Sequence, residues 1–528
     1  VDAIYAFIDR LALWCEQFNI DLSKLTEVLA YDPAQPLLFN TGLFLILFAV
    51  FLAFYTMLRP WRAGRMLFTI AFSLYFYYKS SGLCVFILLG VALSDWLLGL
   101  ALGRAERRWV RRLIVGVNLA VNVGMLAYFK YFNLILDTLA NIFDTRIDFW
   151  DIMLPAGISF FTFRSISYIV DIYRGHTEPC RNLLDYTFFL TFFPPLLAGP
   201  VVRAKDMLPQ VAANPRPDRD MTSEGVWLII LGIVKKMVIA DFISGNFVDR
   251  VFDNPALYSG FENLMATIGF TIQLYCDFSG YSDMAIGLAL LMGYRFKENF
   301  NAPFKAQNPT EFWHRWHISL STWLRDYVYI PLGGNRCSRP RAYFNQFATM
   351  VIGGFWHGAS WMYVIWGAAH GALLVIHKSV RALIPVPAVV AEEDGSVALE
   401  SGSGQAGTPR VPMWLKGVNM VATFMLVAIA FMLFRARSLE DVGMMWHQII
   451  HDFHLSVAPQ FVAGYTAIVL AMLFGYLVHI TPTRVTAPVR SWFISSPVLV
   501  QVLFLALALF VGIQVRSSDI VPFIYLQY

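Results

Sequence analysis

The residues best placed for chemistry are histidines set among apolar and aromatic neighbours. His357 stands between Trp356 and Gly358 in GGFWHGASWMYVIWGAAHG, residues 353–371, with His370 near the end of the same stretch. A neutral imidazole there can take a proton from an attacking hydroxyl, and its ordinary pKa suits that task. Gly353 and Gly354 just before it allow a break in the helix and a close approach of backbone to ligand. The alternative is a buried histidine bonded to a helix backbone, and spacing alone leaves both open.

A second concentration of polar groups runs from Asn299 to Arg336, NFNAPFKAQNPTEFWHRWHISLSTWLRDYVYIPLGGNR. It carries Glu311, His314, Arg315, His317, Arg325, Asp326 and Arg336 among Trp313, Trp316, Trp323, Tyr327 and Tyr329. His314 and His317 share a helical face, which is half of a metal site, but no neighbouring motif supplies the other ligands. The competing reading is an amphipathic helix anchored at an interface by its tryptophans. His370 and His377 are expected to be satisfied inside the bundle. In QLYCDFSGYSD, residues 273–283, Asp277 and Asp283 flank Gly280 between apolar runs. That predicts a broken helix lining a polar cavity, or carboxylates capping two half-helices. No GxGxxG after a strand, Walker loop or GxSxG elbow is present, so a nucleotide-driven pump and a covalent serine enzyme are poorly supported.

The elements that must hold these residues are membrane helices. The chain has 528 residues, of which 57% are hydrophobic and 14% charged. A soluble domain carries about 25% charged residues, so most of this surface faces something other than water. At about 20 residues per span the apolar content supports on the order of ten crossings, the first near residues 38–58. The five cysteines lack metal-ligand spacing and define no disulfide framework. A net charge of +4 gives no nucleic-acid signature.

Arg59, Arg62 and Arg65, and then Arg104, Arg107, Arg108, Arg111 and Arg112, mark two cytoplasmic loops. An even number of crossings between them is expected, with a break near Lys79–Gly82. Residues 1–36 carry six acids against two basic residues and read as an interfacial segment on the outer side. A main body follows over 37–384, then a Gly/Ser/acid-rich flexible linker over 385–412, then C-terminal spans over 413–528. Lys235, Lys236, Arg295 and Lys305 are placed either to bind the phosphates of a ligand or to anchor the cytoplasmic side.

These stretches resemble the membrane-bound O-acyltransferase family, and within it the bacterial branch of alginate O-acetylation and teichoic-acid D-alanylation. The matching motifs are LPAGISFFTFRSISYIVDIYRG (154–175), FFPPLLAGPVVR (192–203), LGIVKKMVIAD (231–241), QLYCDFSGYSDMAIGLALLMGY (273–294), EFWHRWHISLSTWLRDYVYIPLGGNR (311–336), GGFWHGASW (353–361) and PFIYLQY (522–528). The resemblance implies an all-α polytopic bundle, a ring of helices around a central funnel with re-entrant or broken helices. It implies that His357 is catalytic and that His317 is the second polar member of the site, orienting reactants or stabilising an oxyanion. Substrate contacts are expected from Trp316, Asp326, Tyr327, Asn335, Arg336, Asp277 and Trp356. His314 departs from the alginate branch, which commonly has arginine there.

The implied activity is acyl transfer, most simply of acetyl, from acetyl-CoA or an acyl-carrier thioester on the cytoplasmic side. The acceptor is a hydroxyl of an exported polysaccharide, reached directly or through a periplasmic acetyltransferase partner. No bound cofactor or metal and no nucleic acid are expected, and the setting is a bacterial inner membrane. D-alanyl transfer to teichoic-acid-like acceptors, a transporter and a non-catalytic export scaffold are the alternatives.

Overall fold

A polypeptide this apolar must satisfy its backbone within its own segments, and helices do so. The computed structural model describes residues 27–33, 35–383 and 412–515, and among them the regular structure is all helical. The interfacial segment expected over 1–36 lies largely outside the described residues, as do the linker and the terminal motif. The chain divides into two units, Val1–Ala198 with Val202–Arg216, and Gly199–Val201 with Pro217–Tyr528.

In the first unit the main helices are α1 (Gly42–Met57), α2 (Arg62–Ser81), α3 (Val85–Arg104), α4 (Arg108–Leu126), α5 (Phe132–Phe143), α6 (Ile158–Arg174), α7 (Leu183–Thr191) and α8 (Ala204–Ala213). The break expected near Lys79–Gly82 lies at Gly82–Cys84, a single turn between α2 and α3, and residues 62–104 count as one candidate span rather than the even number of crossings expected. Phe193 gathers an aromatic cluster, with Phe72, Phe51 and Phe76 at 5.1, 5.7 and 5.7 Å between ring centroids. The buried Asp95 carboxylate accepts from Ser165 Oγ at 2.7 Å, Asn118 Nδ2 at 2.8 Å and Tyr186 OH at 2.9 Å. Those bonds are what make a polar group tolerable inside an apolar unit.

In the second unit the main helices are α9 (Arg219–Ile233), α10 (Gly260–Leu291), α11 (Pro309–Arg315), α12 (Ile318–Leu324), α13 (Arg339–His357), α14 (Trp361–Leu383), α15 (Met413–Arg435), α16 (Leu439–His451), α17 (Ala458–Gly464), α18 (Thr466–Ile480), α19 (Thr483–Ser495) and α20 (Val498–Val515). The break expected at 273–283 does not exist: α10 is one continuous helix of 32 residues. Its carboxylates need no cavity and cap no half-helix, because lysines from the adjoining segment 234–240 meet them. Lys236 Nζ lies 2.5 Å from Asp277 and 2.7 Å from Asp241, and Lys235 Nζ lies 2.7 Å from Asp283. An ion pair so placed removes the reason for the helix to open.

Among the described residues four helical segments are long and apolar enough to cross a membrane, or up to five if the bent pair 455–464 and 466–480 counts as one. That is fewer than the ten that composition alone supports. The difference lies in helices such as α10, which is buried nearly all round and carries polar residues matched by protein partners. The 95° bend in that pair is a broken element of the kind expected.

Candidate active site

α13 and α14 form a hairpin, and α13 ends on His357. A Cβ on Gly354 would lie 2.3 Å from the Tyr363 carbonyl oxygen, and one on Gly367 2.5 Å from that of Met350. The glycine before the histidine therefore serves close helix packing. The helix break that Gly353 and Gly354 allow is not made, and α13 runs unbroken through both residues.

His357 is 5% exposed. Its ring meets Trp356 and Trp366 at 4.9 Å and Phe434 at 5.4 Å between centroids, Trp366 edge-on at 87°. Trp366 in turn touches His370 at 4.9 Å. His370 is buried, and its Nε2 has no hydrogen-bond partner among the described residues. Aromatic rings of Trp313 and Phe312 surround it instead, and ring faces are weak acceptors. His377 Nδ1 does find a partner, the Thr310 hydroxyl at 2.9 Å.

The chain breaks between α11 and α12, at His317, whose backbone takes φ +43°. The residue is fully buried, and burial pushes its pKa down to about 3, so the ring is neutral. Phe278 of α10 meets it edge-on at 4.6 Å. Trp356 lies 6.1 Å from His317 and 4.9 Å from His357, so a single indole stands beside both imidazoles. His317 Nδ1 is 3.1 Å from Asn299 Oδ1.

Against this cluster lies a cavity of about 330 Å³ that includes Trp313 and Ile318 in its walls. Its polar lining includes His314, Arg325, Lys378 and Asn335. Trp313 connects it to the histidine box through Trp366, 5.9 Å away. Such a lining sets cationic side chains and an aromatic wall around one space.

Of the residues expected to touch substrate, Trp356 joins the two histidines and Asn335 lines the cavity, where its Oδ1 accepts from Tyr329 OH at 2.5 Å. The others take different positions. Trp316 is buried against Phe300, Phe312 and Phe431, and Asp277 holds Lys236. Asp326 accepts from Arg325 Nε at 2.7 Å, Tyr327 stacks 5.0 Å from Trp323, and Arg336 is exposed in the following turn. Lys235 and Lys236 are committed to carboxylates, Lys305 donates to the Thr481 carbonyl at 3.0 Å, and Arg295 sits 3.9 Å from Glu224. Asn299, Trp366 and Lys378 are the site residues that sequence reasoning missed. Residue type alone does not mark them, and the fold places Asn299 and Trp366 against the two histidines and Lys378 on the cavity wall. Among the described residues no three His, Cys, Asp or Glu side chains converge as a metal site.

The model of the membrane-bound O-acyltransferase family matches residues 180–392. The chain is 41% identical over 424 residues to a Pseudomonas aeruginosa protein named "Probable alginate O-acetylase AlgI", covering 78% of this chain and 74% of that one. It is 32% identical to the peptidoglycan O-acetyltransferase of Helicobacter pylori, over 77% of this chain and 78% of the relative. It is 30% identical to the teichoic acid D-alanyltransferase of Streptococcus thermophilus, over 53% of this chain and 67% of the relative.

Proposed function

The chain belongs to the membrane-bound O-acyltransferase family, and from that premise we propose that it carries acetyl from a cytoplasmic thioester towards hydroxyls of an exported polysaccharide. The observation that carries this reading is the pair of buried imidazoles beside Trp356, next to a cavity edged by Arg325, Lys378 and His314. Coenzyme A and the phosphopantetheine arm of a carrier protein both present phosphate to such cations. The relatives named for alginate and peptidoglycan O-acetylation support acetyl as the group and a polysaccharide as its destination.

His357 is the general base. Its ring takes the hydroxyl proton as the oxygen attacks the thioester carbonyl, the carbon–sulfur bond breaks, and the proton passes to the departing thiolate. The aromatic walls of Trp366 and Phe434 keep water from the thioester, which would otherwise hydrolyse. His317 is the second polar ring of the site. A periplasmic acetyltransferase completes delivery to the polymer, and the enzyme sits in the inner membrane.

Purified protein in sealed vesicles, given labelled acetyl-CoA or an acetylated carrier protein on one side, tests the reading. Label appearing on an oligosaccharide, or on a partner acetyltransferase, enclosed on the opposite side is the expected result. Transfer of labelled D-alanyl from a charged carrier protein to teichoic-acid-type acceptors with no transfer of acetyl, or acetyl donor that is never consumed, overturns it.

A further inference from the structure

A neutral imidazole has one N–H and one lone pair, and its hydrogen-bond partners decide which nitrogen carries which. Around His317 the backbone settles the question. Ser319 N–H points at Asn299 Oδ1, 3.2 Å away, and a backbone N–H can only donate. The atom of Asn299 facing it is therefore the amide oxygen. The other end of the same amide agrees: Asn299 Nδ2 donates to Ser282 Oγ on α10 at 3.1 Å. Ser319 Oγ accepts from Val201 N–H at 2.9 Å and passes its own proton to Asn299 Oδ1 at 2.8 Å. With the oxygen fixed, His317 Nδ1 at 3.1 Å must be the protonated nitrogen.

The same residue holds the backbone of this region. Asn299 O accepts Ile318 N–H at 2.8 Å, and its side chain takes Ser319 N–H, so it satisfies the first turn of α12 from outside the helix. His317 at φ +43° makes no side-chain cap for that helix. One asparagine thereby sets both the position of the ring and its protonation pattern.

We propose that Asn299 is a positioning residue that locks His317 as the Nδ1–H tautomer, leaving Nε2 as a proton-accepting atom in the acyl-transfer site. This rests on the acyltransferase reading and narrows it. A ring locked this way cannot donate a hydrogen bond to an oxyanion through Nε2 while neutral. Its work is to accept one, from the acceptor hydroxyl or from a proton-bearing group beside it. Donation to an oxyanion, which the family resemblance left open for His317, is in this tautomer not available to the neutral ring.

The test compares Asn299→Ala with Asn299→Asp at matched membrane abundance. Aspartate keeps an acceptor oxygen for Nδ1–H and for Ser319 N–H, whereas alanine removes it. The expected result is a fall of at least about tenfold in kcat for the alanine variant, with donor KM nearly unchanged and most activity restored by aspartate. Nitrogen-15 NMR of the histidine rings, with the His317 signal identified by its loss in His317→Ala, reads the tautomer directly. Wild type and Asn299→Asp should show a protonated Nδ1, and Asn299→Ala a shift towards protonated Nε2. A wild-type signal with protonated Nε2 overturns the proposal whether or not the variants accumulate. So does an alanine variant with wild-type kcat. Wild-type protein that consumes no thioester defeats the acyltransferase reading itself, a separate outcome from an active enzyme indifferent to Asn299.

Discussion

Gly354 and Gly367 touch backbone to backbone: a Cβ added to Gly354 would stand 2.9 Å from the Gly367 Cα. The contact sets the separation of α13 and α14, and with it the distance from His357 at the end of one helix to Trp366 on the other. Small residues at such crossings are what allow helices in an apolar setting to approach closely.

Substituting Gly367→Val therefore forces the hairpin apart, because the new side chain meets the Met350 carbonyl oxygen. Overpacking of this kind costs about 1–3 kcal/mol. Thermal unfolding in detergent should show a lower midpoint, and the acyl-transfer rate per folded molecule should fall as well. A variant with unchanged midpoint and rate would show that the hairpin spacing does not matter to the site.

His357→Ala removes the proposed base and leaves Trp356, Gly358 and the helix contacts in place. Loss of a general base lowers rates by about 10²–10⁴-fold. The variant should reach the membrane at wild-type abundance and transfer almost no acyl group. Turnover above about a tenth of wild type would be too large for a missing general base and would reassign the role.

Arg325 and Lys378 lie on the cavity wall, and their charge should be read in donor affinity. Arg325→Gln and Lys378→Gln are expected to raise the apparent KM for acetyl-CoA while leaving kcat near wild type, the pattern of a lost binding contact. High salt should weaken wild-type donor binding in the same direction. Wild-type KM values in both variants would place the donor phosphates elsewhere.

Lys236 is fully buried between Asp241 and Asp277. Lys236→Met leaves two carboxylates in the core without their shared cation, and breaking a buried pair this way typically costs about 3–5 kcal/mol. Membrane abundance should drop sharply. The triple variant Lys236→Met, Asp241→Asn, Asp277→Asn should recover much of it, since it removes the buried charges together. If the triple variant is no better than the single one, the destabilisation comes from lost packing rather than from stranded charge.

The sequence by itself determined the kind of protein, and it singled out two histidines. A chain 57% hydrophobic and 14% charged has to meet an apolar medium, and the residue types around His357 and His317 are distinctive enough to single out both. Even the turn at Gly82–Cys84 was readable from local residue types. Only the tertiary structure decided what those residues meet. Asp277 and Asp283 look like signs of a broken helix until Lys236 and Lys235, 41 and 48 residues away, are seen to neutralise them. Gly354 looks like a hinge until Gly367 fills the space beside it. Asn299 bears no mark of function until the fold sets its amide oxygen against a histidine 18 residues further along. The physical reason is the same in each case. Periodicity and composition record how a segment meets its average surroundings, whereas charge pairing, close packing and tautomer choice depend on one particular partner that only folding brings near.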